Sequence, residues 1–113
     1  MKFTVLMMFG LVMFVSGCAS NAVLPSQKKC EDEYMYAYNL HNQAIEAARK
    51  GECEESANKF MSTIDEMAYL STRNYCDQNY RQAARDGYYR AIHDARLLKS
   101  KFCPDVKITI PAR

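Results

Sequence analysis

The apolar positions divide the chain into one continuous run and three striped segments. From Phe3 to Val15 the sequence FTVLMMFGLVMFV carries no charge, and the single charge before it is Lys2. From about Ser26 onward the spacing becomes helical. Cys30, Tyr34, Ala37, His41, Ala44 and Ala48 recur at steps of three and four, which predicts a helix ending near Arg49-Lys50 with Gly51 as its terminator. A second helix is predicted over about 52–70, where Cys53, Ala57, Phe60, Ile64 and Met67 form a regular seam and Glu52, Glu54 and Glu55 crowd the first turn. A third is predicted from Ser71-Thr72, either of which suits an N-cap, to the residue before Pro104. Its buried stripe is expected to be Cys76, Tyr80, Ala83 and Ala84, Gly87, Ala91, Ala95, Leu98 and Phe102. Gly87, at a cost of up to about 1 kcal/mol relative to alanine, is expected to pack closely under an aromatic side chain or to mark a kink. Beyond Pro104, Val106 to Ile110 alternates β-branched and polar residues, an extended pattern with no second strand to pair with. Such a tail either lies along the bundle or serves as a docking segment.

The expected fold class is therefore all-α, a three-helix up-down-up bundle over 28–103 with a short extended tail over 104–113. Residues 18–27, small and polar with Pro25, read as a tether. Residues 1–17 read as an export leader. The apolar run of 13 residues spans roughly 20 Å as a helix, short for a permanent membrane span and suited to a signal segment.

Where that run ends, Val15-Ser16-Gly17-Cys18 resembles the lipobox of bacterial lipoproteins: an aliphatic residue, two small ones, then cysteine. The resemblance implies cleavage after Gly17 and diacylation of the Cys18 sulfur, so that the membrane is a partner through the lipid. Ala19, in place of aspartate, implies sorting to the outer membrane, with the domain facing the periplasm.

Removing the leader leaves 14 lysines and arginines against 13 carboxylates, a balance that argues against nucleic acid as a partner. Of the five cysteines, four remain after Cys18: Cys30, Cys53, Cys76 and Cys103. An even number in an exported chain reads as two disulfides, whereas a zinc site would want closely paired cysteines. In an up-down-up bundle, Cys30 and Cys76 lie at one end, Cys53 and Cys103 at the other. The remaining pairings would have to cross a helix length of roughly 34–40 Å, far beyond disulfide reach. The expected bonds are Cys30–Cys76 and Cys53–Cys103.

Candidate chemistry is sparse. His41 falls on the first buried stripe and is expected to be a hydrogen-bonded core residue. The acidic clusters at 31–33 and 52–55 sit at helix starts, where the dipole accounts for them. No nucleophile with a base, phosphate loop or H-E-x-x-H pattern is present; no cofactor, metal or enzymatic activity is expected. The charge layout is uneven. Over 51–71 five acids face one base, and over 72–101 seven bases face three acids. Arg81, Arg85, Tyr89, His93 and Arg96 share one outward side of the third helix, and tyrosine and arginine are favoured at protein interfaces. They are the expected partner-binding face.

In leader, size, helical mature part and disulfide use, the chain resembles the small helical pilotins that conduct secretin subunits to the outer membrane. That resemblance implies a lipid-anchored module binding an envelope protein. An inhibitor of immunity or exclusion type and a purely structural envelope lipoprotein are the alternatives.

Overall fold

The computed structural model describes residues 25–112; the leader and Cys18, and with them the lipidation expected there, lie outside the described residues. The first helix, α1, spans Pro25–Arg49 and begins on the proline, whose fixed φ suits a first turn. The helix thus takes in three residues expected in the tether. Gln27 is built into the fold: its Nε2 donates to the Tyr75 carbonyl at 2.8 Å and its Oε1 accepts from the Asp77 amide at 3.1 Å. The end of α1 is a Schellman turn. Gly51 adopts φ +76°, the Gly51 amide donates to the Ala48 carbonyl and the Glu52 amide to the Ala47 carbonyl.

The second helix, α2, spans Cys53–Ser71. The third, α3, spans Gln78–Leu97, several residues later than expected. Ser71 and Thr72 do not open it. Their hydroxyls donate back to the Ala68 and Tyr69 carbonyls and so finish α2. The N-cap of α3 is Asp77, whose carboxylate accepts from the Tyr80 amide at 3.1 Å.

After Leu97 the chain widens into a π-helical turn, Leu98–Phe102, closed by the Cys103 amide donating to the Leu98 carbonyl at 2.7 Å. The additional residue shifts the phase of the stripe. Cys103 moves inward, and Phe102, expected in the core, is 65% exposed.

The three helices run up-down-up with α2 packed along both neighbours, while α1 and α3 meet over a much smaller area. Small residues let α2 approach closely: the buried Ser56 hydroxyl donates to the Ala44 carbonyl at 2.7 Å. At Gly87, a Cβ would sit 2.8 Å from Met67 Cε, so the glycine makes room for a methionine of α2 rather than for an aromatic ring. The core has two clusters. One gathers Cys30, Ala37, Met67, Leu70, Cys76 and Ala84; the other gathers Phe60, Ile64, Ala91, Ile92, Leu98 and Cys103. Each contains a disulfide, Cys30–Cys76 with a Cα separation of 5.7 Å and Cys53–Cys103 at 5.8 Å. Both pairings are those expected.

The tail forms no strand among the described residues. It folds back along the bundle, with Val106 buried and Ile108 and Ile110 packed on the second cluster. Lys99 Nζ donates to the Val106 carbonyl at 2.6 Å, and the Arg96 guanidinium reaches the Pro111 carbonyl at 3.4 Å.

Candidate functional site

Because α1 and α3 both lean on α2 more than on each other, a furrow runs between them. One bond crosses it midway. His41 Nε2 donates to Asp94 Oδ2 at 2.7 Å, and the His41 ring sits edge-on to Phe60 with centroids 5.8 Å apart. His41 is 6% exposed, the hydrogen-bonded core histidine that its position on the stripe implied.

The bridge divides the furrow into two hollows. The first, toward the end of α1, has a volume of about 220 Å³ and is lined by Ile45, Ala48, Phe60, Leu97, Leu98 and Phe102, with Arg49 and Asp94 at its edge. Its lining comes from α1, from Phe60 of α2, from the end of α3 and from the π-helical turn. The second, also about 220 Å³, lies toward the Cys30–Cys76 end and is lined by Tyr34, Tyr38, Met67, Ala83, Gly87, Asp86 and Arg90. Its apolar floor is the Met67 thioether laid across Gly87. The carboxylates of both hollows are engaged within the chain, Asp94 by His41 and Asp86 by Gln82 Nε2 at 3.1 Å.

None of the five residues expected to form a binding face lines either hollow. Arg81 is half-buried and donates to the Cys76 carbonyl at 3.1 Å, so it braces the start of α3. Arg85 bonds Gln82 Oε1 at 3.1 Å from an exposed position, Tyr89 is exposed with its ring edge-on to Tyr88 at 5.3 Å, and His93 is exposed. Arg96 is tied to the tail. Arg81 and Arg96 are thus bonded into the fold, while Arg85, Tyr89 and His93 stand at exposed positions of α3.

A third hollow, about 590 Å³, lies beside the Cys53–Cys103 bond and is bordered by Glu54, Asn58, Phe102, Asp105, Val106 and Lys107. Phe102 thus stands as a ridge between two depressions. Among the described residues no group of three or more histidines, cysteines or carboxylates is placed to hold a metal, and no helix is long and apolar enough to cross a membrane. The hollows offer apolar contact and a few charges. Sequence spacing carried no sign of them, since Asp94 lies 53 residues from His41 and the exposure of Phe102 depends on the π-helical turn. Compared with family models, curated proteins and solved structures, the chain matches none of them.

Proposed function

We propose that this chain is a lipid-anchored periplasmic module of the outer membrane, and that the α1–α3 furrow takes an amphipathic helix of an envelope protein, in the manner of a pilotin-like assembly factor. The observation that carries the reading is the apolar hollow at Ile45, Ala48 and Leu97, with Phe102 65% exposed at its edge. A large aromatic that exposed beside an apolar furrow is costly in water and useful as an anchor. Helix-in-groove recognition needs this arrangement of two rows of apolar side chains and a polar rim. The anchor itself rests on Val15-Ser16-Gly17-Cys18 and the apolar run before it.

Photo-crosslinking amino acids placed at Ile45 and Phe102 of the full-length chain in cells test the furrow, with Ser62 and Asp65 on the outer face of α2 as controls. The reading expects one discrete adduct shared by the furrow positions and absent from the α2 positions. It also expects Ile45→Glu to abolish the adduct at Phe102 at a temperature where thermal unfolding shows the variant folded, some loss of stability being expected because Ile45 packs on the core. Adducts spread over all four positions contradict a furrow partner. No adduct at any position contradicts a binding module and favours a structural envelope lipoprotein.

A further inference from the structure

The tyrosines are not spread evenly. Tyr34, Tyr36, Tyr38, Tyr69, Tyr75 and Tyr80, six of the eight, belong to the half of the bundle closed by Cys30–Cys76, where α1 begins. On one flank of that half, away from the α1–α3 furrow, rings and cations are interleaved. Lys29 Nζ lies 5.1 Å from the centre of the Tyr75 ring, and the Arg73 guanidinium stacks 4.1 Å from that of Tyr69. The Tyr75 hydroxyl donates to Glu33 Oε1 at 3.2 Å. Tyr36, one turn beyond Glu33 on α1, is 56% exposed, and Tyr69 is 43% exposed. We infer that this flank, Lys29, Tyr36, Tyr69, Arg73 and Tyr75, rests on the headgroup layer of the phospholipid bilayer that holds the anchor.

The inference rests on lipidation at Cys18, as proposed above. Seven residue steps separate Cys18 from Pro25, a reach of at most about 25 Å. The anchor therefore keeps the start of α1 close to the bilayer and leaves the far end of α1, about 37 Å along the axis, free to stand off or lie down. Tyrosine is the side chain that suits the boundary, with an apolar ring toward the acyl region and a hydroxyl toward water. Lys29 and Arg73 are the cations offered to phosphate groups, while Glu33 and, on the same helix faces, Asp32, Asp65 and Glu66 offer carboxylates to the ammonium groups of zwitterionic headgroups. The Arg73 Nε–H has no acceptor among the described residues, and the guanidinium has only a 3.3 Å bond to Thr72 Oγ1. That Nε–H is buried, so a phosphate oxygen arriving at this flank would be met by the Nη groups of the guanidinium. With this flank against the bilayer, the α1–α3 furrow on the other side of α1 faces the periplasm.

The chain contains no tryptophan, so single Tyr36→Trp, Tyr69→Trp and Phe102→Trp substitutions give unambiguous reporters. Each full-length lipidated variant is reconstituted in vesicles of phosphatidylcholine and phosphatidylethanolamine, with and without brominated acyl chains, after its mass has shown whether Cys18 carries lipid. Thermal unfolding confirms that each is folded. The inference expects a blue shift and bromine-dependent loss of emission at Tyr36→Trp and Tyr69→Trp, and neither at Phe102→Trp. Unquenched emission in all three lipidated variants overturns it while leaving the anchor intact. Equal quenching in all three also overturns it, since no flank is then preferred. A mass without lipid removes the anchor and the inference together.

Discussion

At Gly87 two opposing effects can be weighed. Alanine there gains up to about 1 kcal/mol in helix propensity, but its methyl group would meet Met67 Cε at 2.8 Å and Sδ at 2.9 Å. Met67 is 1% exposed, and its thioether could clear the methyl only by leaving the core and turning into the second hollow, so overpacking, typically about 1–3 kcal/mol, dominates. Gly87→Ala is expected to lower stability by about 1 kcal/mol in denaturant titration, and to raise it when introduced into Met67→Ala, where the space is open. Stabilisation in both backgrounds would mean that the thioether simply moves aside. Tyr75 provides a pH-dependent signature. Its hydroxyl is pushed up to about 12 from the ordinary 10, first by the neighbouring Tyr69 hydroxyl, then by burial, then by hydrogen bonding to Glu33 and its charge. Between about pH 10 and pH 12 the unfolded chain releases this proton and the folded chain keeps it. The stabilisation is therefore fully present below pH 10 and declines as pH rises through that window. Spectroscopic titration should show one tyrosine ionising last, and Tyr75→Phe should flatten the alkaline fall in stability; an unchanged fall would assign it to other groups.

Among the elements, α3 carries both residues bonded into the fold and residues at exposed positions. Arg81→Ala removes the bond to the Cys76 carbonyl and should cost about 1–2 kcal/mol, since it leaves a carbonyl near the disulfide without its charged donor. Arg85→Ala with Tyr89→Ala, both at exposed positions, should change stability by roughly 0.5 kcal/mol per site. Thermal unfolding of the two variants tests the contrast, and equal losses would contradict it. The same helix shows how far the amino-acid pattern reaches. The ends of α1 and α2 were readable to about one residue because Gly51 and the acidic first turn of α2 are strong local signals. The start of α3 was misread because Ser71 and Thr72 have the chemistry of an N-cap but bond backward. Asp77 was the better candidate only once Gln27, 50 residues away, was seen to hold it. Phe102 fitted a 3.6-residue period that the chain abandons at Leu98, and nothing in the stripe announces a π-helical turn. The furrow was illegible for a different reason: it arises from how two helices diverge on a third, a property of the packing and not of any one segment.

For the whole molecule, a thin alanine-rich core is divided into two clusters, each closed by a disulfide. The pairing was legible because helix direction alone leaves one solution. The bonds close loops of 46 and 50 residues, each worth about 4 kcal/mol in the chain-entropy view and less where the unfolded chain retains structure. Replacing Cys53 and Cys103 together by alanine should cost about 2–5 kcal/mol. It should also raise amide exchange in the π-helical turn and the tail while sparing the start of α3; uniform acceleration would mean that the clusters are one cooperative unit. The proposed anchoring at Cys18 would turn the tyrosine-rich flank to the bilayer and leave the furrow to the proposed partner. The most direct measurement is the intact mass and N-terminal residue of the chain extracted from membranes of cells fed a labelled fatty acid, compared with Cys18→Ser. The native chain should begin at Cys18, labelled and carrying a diacylglyceryl mass, and the variant should be unlabelled and either uncleaved or released. An unlabelled native chain beginning beyond Cys18, such as after Ala22, or label retained by Cys18→Ser, would contradict the anchoring.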